Sequence, residues 1–83
     1  MMNSQKAEDV FKTPDLYFAA YLQVAGVNMV RTERNGGKVT FIFDTSISNI
    51  DELKHAWFSQ TGKIAALPFA NAIKSLKSIC HMP

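Results

Sequence analysis

Asn35-Gly36-Gly37 lies between two runs rich in β-branched and aromatic residues, Val27–Arg34 and Lys38–Asp44, and this pattern commits the middle of the chain to a β-hairpin. Asn and Gly enter the φ > 0 region at little steric cost, which a type I′ turn requires at both central positions. Whether the two-residue loop is Asn35-Gly36 or Gly36-Gly37, even positions of the first strand share a face with odd positions of the second. One face then carries Val30, Thr32, Val39, Phe41 and Phe43. The other carries Met29, Arg31, Glu33, Lys38, Thr40 and Ile42. Two strands with one apolar face are not stable alone in water, so helices from both flanks must cover the aromatic side.

The helices are legible from their ends. Thr13-Pro14-Asp15 marks a start, with Thr13 as cap, Pro14 at the first helical position and Asp15 at the positive end of the dipole. That helix runs to about Ala25, with Gly26 as a left-handed stop. Leu16, Ala20 and Val24 line one side and Phe18, Leu22 and Ala25 the opposite one, with Tyr17 and Tyr21 between, which leaves Ala19 and Gln23 on a narrow polar strip. So wide an apolar arc exceeds what one hairpin can cover, and either another helix or a second subunit must pack on it. Ser48 or Asn49 caps a second helix, each with an acid three residues on (Asp51 or Glu52). It presents Ile50, Leu53, Ala56 and Trp57 on one side and stops near Gly62. Lys63-Ile64-Ala65 is a loop or a third strand. A last helix runs from about Leu67 toward Met82, with Pro68 in its first turn and Phe69, Ile73, Leu76 and Cys80 as its buried stripe.

The fold expected is therefore a single α+β domain over residues 11–83, in the order α-β-β-α-α, with a flexible polar tail over residues 1–10 in which Phe11 follows as a small anchor. The expected core is Leu22, Val30, Phe41, Phe43, Trp57, Phe69, Ile73 and Leu76. With 83 residues the core is thin, and association between copies would help it. One cysteine, Cys80, excludes an internal disulfide and fits a reducing, cytoplasmic setting. The longest uncharged run, Leu16–Val30, falls short of the roughly 18–20 residues of a membrane span.

Chemistry is sparse. His55 and His81 belong to different helices, and Cys80 and His81, being adjacent on one helix, point about 100° apart, a poor basis for a shared metal site. Asn35-Gly36-Gly37 lacks the Lys-Ser pattern of a phosphate loop. Asp15, Asp51 and Glu52 are accounted for by helix starts. The sequence thus points to no catalytic residue, no cofactor and no metal, and the expectation is a binding protein rather than an enzyme. Two surfaces present themselves. Tyr17, Tyr21, Met29, Ile42 and Phe58 form a candidate protein interface, for a second copy in a homodimer or for a host or phage protein. Arg31, Arg34 and Lys38 of the hairpin, together with Lys74 and Lys77 of the last helix, form a candidate basic face for nucleic acid, read without regard to base sequence. Lys74 and Lys77 also suit a helix's negative end, and Lys38 can pair across the turn with Glu33.

Three stretches resemble a known family when taken together: Phe11 through Leu22, Val39-Thr40-Phe41-Ile42-Phe43, and Trp57-Phe58 followed by Leu67 through Lys77. They resemble a family of short proteins built on a domain of unknown function, found in bacterial genomes and their phages. The match spans roughly residues 11–79, mostly at core positions. It departs at Ser59-Gln60-Thr61-Gly62, where the family places its glycine two positions earlier. The resemblance implies the fold and a phage or mobile-element origin, and no activity.

Overall fold

Gly36 and Gly37 take φ of +58° and +89°, so they are the two-residue loop of a type I′ hairpin, and Asn35 faces Lys38 across its mouth. The structure, a computed structural model, describes residues 9–46 and 49–81. Its elements are β1 (Val10–Thr13), α1 (Leu16–Val24), β2 (Asn28–Asn35), β3 (Lys38–Asp44), α2 (Ile50–Phe58) and α3 (Ala66–Cys80). The expected α-β-β-α-α order is present, preceded by a short strand. That strand makes the sheet three-stranded and antiparallel in the order β1-β3-β2. The third strand is thus Val10–Thr13, and Lys63-Ile64-Ala65 is a loop. The expected tail is shortened accordingly. Val10 pairs with Asp44, and the Thr45 N–H donates to the Asp9 carbonyl at 3.0 Å. The rest of the expected tail, residues 1–8, lies outside the described residues, as do Ser48 and Met82.

Between Met29 and Arg31 the register slips by one residue. Val30 is the extra residue of a β-bulge, and every side chain before it changes face. Val30, expected in the core, is 45% exposed, whereas Met29, expected outside, pairs with Phe43 and packs against the core. No turn residue announces the bulge, and strict alternation missed it.

Three consecutive residues of β3, Phe41, Ile42 and Phe43, are fully buried. Phe41 and Phe43 face the helices. Ile42 faces the other way, between Lys12 and Arg31 in the register, and their aliphatic stems flank it while their charged ends reach Glu33 at 3.8 and 3.3 Å. Glu33 is thus paired with Lys12 and Arg31 rather than with Lys38.

α1 begins two residues later than its sequence suggests. Asp15 is the cap, accepting from the Tyr17 and Phe18 N–H groups at 3.0 and 3.1 Å. Thr13 is buried at the end of β1, where its hydroxyl accepts from the Asp15 N–H. The expected stop at Gly26 is present. With φ +99°, Gly26 lets its own N–H reach Gln23 and the Val27 N–H reach Leu22, the paired bonds of a Schellman motif. Five successive residues, Phe18 through Leu22, are buried, Ala19 among them, so no polar strip exists. The sheet covers one side of α1, α3 runs along another, and Trp57 and Phe58 of α2 close over Phe18. The wide arc is satisfied within one chain.

Candidate functional site

α2 ends on a residue that sequence alone would not choose. Ser59 is the C-cap and Gln60 takes the left-handed conformation at φ +62°, the place a glycine ordinarily fills and two positions before Gly62. The Gln60 N–H donates to Trp57, and the Thr61 and Gly62 N–H groups both donate to the Ala56 carbonyl at 2.9 and 3.1 Å. Ser59 Oγ adds a bond to the His55 carbonyl at 2.7 Å and lies 3.0 Å from Thr61 Oγ1. These bonds fold the chain back over α1. Gly62 passes so close to Tyr21 that a Cβ there would stand 2.7 Å from the phenol oxygen.

The result is an open cleft of about 440 Å³ lined by Ala56, Trp57, Phe58, Gln60 and Gly62. Trp57 belongs both to the cleft and to the core, 5.1 Å from Tyr21 and 5.8 Å from Phe18 between ring centroids. Phe58 lies 6.2 Å from Phe18 yet remains 74% exposed. Two adjacent aromatics at a helix end thus divide, one anchored and one offered to solvent. The volume suits one or two side chains or a small apolar ligand. Among the described residues its lining carries no acid, base or nucleophile, and its polar side-chain groups are the Gln60 amide and the Trp57 indole N–H.

The sequence-level candidates separate here. Of the protein-interface set, Tyr17 and Phe58 are exposed, Met29 is half-buried against the core, and Tyr21 and Ile42 are buried and removed from any contact surface. Tyr21 and Ile42 read as marginal because the sequence does not show that the Gly62 turn covers one or that the stems of Lys12 and Arg31 flank the other. Trp57, Gln60 and Gly62 as cleft residues, and Leu67 at 71% exposure, were not anticipated.

The basic set is divided by the sheet. Arg31 and Lys38 lie on the side away from the helices, and Arg31 is paired with Glu33. Arg34 lies on the helix side, donating through Nη2 to the Ile79 carbonyl at 2.9 Å, where it caps the negative end of α3. This draws the hairpin toward the end of α3 that carries Lys77, while Lys74 stands exposed one turn earlier. Cys80 is half-buried against the core, as its place on the stripe predicts. Among the described residues, no three His, Cys, Asp or Glu side chains converge to hold a metal. None of their helices is long and apolar enough to cross a membrane. The Asp44 carboxyl is held below the usual range chiefly by the Ser46 N–H at 2.9 Å and then by the Ser46 side chain.

A three-stranded antiparallel sheet with three helices on one side, and an aromatic cleft at a helix end, defines a small two-layer α+β domain. Residues 8–81 match the family model of the domain of unknown function DUF5659, and the chain belongs to that family. No curated protein and no solved structure matched the chain.

Proposed function

We propose that this domain is a binding module that receives an apolar side chain of a partner protein in the cleft beside Phe58. The observation that carries the reading is Phe58 itself, 74% exposed on the rim of a cleft whose other aromatic is anchored in the core. Burying a Phe side chain contributes about 1.5–3 kcal/mol, which a partner seated there would gain. Among the described residues the lining offers aromatic surface and shape to an incoming side chain, which supports recognition. A host or phage protein would be the partner if the resemblance to phage-borne relatives extends to origin, and the lone thiol of Cys80 suits a cytoplasmic setting.

Trp57 is the chain's single tryptophan, so its emission reports on the cleft. Peptides selected from a random display library against the domain should share a large apolar anchor and shift that emission on titration. Phe58→Ser should weaken them by about tenfold or more while leaving the fold intact. Selected peptides that ignore Phe58→Ser and leave the emission unmoved would refute the reading.

One observation favours nucleic acid as a second reading: the Arg34 bond to Ile79 joins the hairpin to the Lys77 end of α3. Binding of this kind would weaken with salt, each phosphate met by Arg34 or Lys77 adding about −0.9 to the log–log slope on duplex DNA. Titration of labelled duplex and single-stranded oligonucleotides at two salt concentrations tests it, and a flat response excludes it.

A further inference from the structure

β2 is an edge strand of eight residues, and among the described residues nothing pairs with its outer side. Which backbone groups point outward follows from the hairpin. A two-residue loop is closed by a hydrogen-bonded pair, here Asn35 with Lys38, and such pairs recur at every second position, so Glu33 with Thr40 and Arg31 with Ile42 exchange bonds across to β3. Thr32 and Arg34 fall between them. Their N–H and C=O groups point away from β3, into solvent, as an unfilled template.

A template of this kind pairs with any strand of matching register, and the charges specify one. We infer that the β2 edge pairs antiparallel with the β2 edge of a second copy, about a two-fold axis at Thr32. A two-fold across an antiparallel edge sets one residue opposite itself, so the registers within the regular stretch can be examined in turn. Centring on Arg31, Glu33 or Arg34 sets like charge directly against like. Centring on Thr32 sets Arg31 of each copy against Glu33 of the other, twice, and Arg34 against Val30. The same centre matches the hydrogen bonds. The Thr32 pair is of the bonded kind, and the Arg31–Glu33 pairs are of the close, unbonded kind in which side chains approach most nearly.

The side chains are placed for it. Arg31 and Glu33 keep 55% and 46% of their side-chain surface exposed and lie on the sheet face that carries no helix, so re-pairing across the axis displaces nothing from the core. The bulge at Val30 bends the strand away beyond this stretch, so the pairing is short and of moderate strength. Two sheets of three strands become one of six, with the helices of both copies on the same side. The edge shares no residue with the cleft, so either surface stands without the other.

The test is sedimentation velocity of the whole chain over a wide concentration range, with fold checked by circular dichroism. The native chain should move from 9.3 kDa toward about twice that mass as concentration rises, less so at high salt. Arg31→Glu, which sets carboxylate against carboxylate at both pairs, should stay monomeric, and combining it with Glu33→Arg should restore the dimer. Thr32→Pro removes an outward donor that β3 does not use and should also leave a folded monomer. Hydrogen exchange supplies an independent reading, since the Thr32 amide should exchange at least about tenfold more slowly in the dimer than at dilution. A native chain monomeric throughout overturns the inference. So does a dimer that survives Arg31→Glu, or a double variant that does not re-form one. A dimer lost with Phe58→Ser but kept with Arg31→Glu would move the contact to the cleft.

Discussion

Gln60 and Gly62 sit two residues apart and carry opposite demands. At φ +62° Gln60 bears a strained left-handed backbone with a side chain that the conformation does not need. Gln60→Gly should therefore raise stability by about 0.5–1 kcal/mol, read as a shift in the urea midpoint at unchanged slope. Gly62 needs no unusual φ, but a methyl group there would press on the buried Tyr21 ring. Gly62→Ala should cost about 1–3 kcal/mol by overpacking and change the emission of the neighbouring Trp57. Asp44 offers a pH test with a definite sign. Its carboxyl is held below the ordinary value in the folded chain, so its extra stabilisation is complete above the unfolded pKa and is lost as pH falls through the folded one. Thermal melts from about pH 5 down to about pH 2 should thus show a smaller acid-induced loss for Asp44→Asn than for the native chain.

Element by element, what the sequence disclosed was what depends on neighbours in the chain. The Gly36-Gly37 turn, the Gly26 stop, the Asn49 cap and the α3 stripe are local chemistry, and all are present. Asn49 accepts from the Glu52 N–H at 3.2 Å, so Asn49→Ala should cost about 1 kcal/mol in a denaturant melt, while Asp15→Ala, which frees two N–H groups, should cost rather more, up to about 2 kcal/mol. What was missed depends on distant partners. Val10–Thr13 is too short to read as a strand until β3 supplies its register. The Val30 bulge follows from how β2 must lie against Phe43 and Phe41, and it exchanged Val30 for Met29 in the core. The cleft was hidden for a related reason. Trp57 and Phe58 look equivalent in sequence, and only the Ala56–Gly62 turn over Tyr21 shows which of them is left outside.

At the scale of the molecule, stability rests on a few large side chains. Phe41 and Phe43 on the sheet meet Leu22 from α1 and Leu76 from α3, all essentially without exposure. A domain of this size has a total stability of roughly 4–12 kcal/mol. Phe41→Ala, at about 3–5 kcal/mol, should leave a substantial fraction unfolded, visible as lost cooperativity in a thermal melt. The arrangement also bears on how the domain comes into being. α1 precedes the hairpin in the chain but is surrounded only later, because α3, which packs along it, follows both. Until α3 has emerged, the run from Phe18 to Leu22 has the sheet on one side and an open flank on another, while the hairpin beneath it is already able to form. The nascent chain therefore passes through an interval in which its most apolar helix is uncovered, and that interval closes when Leu76 docks and Arg34 takes hold of the Ile79 carbonyl.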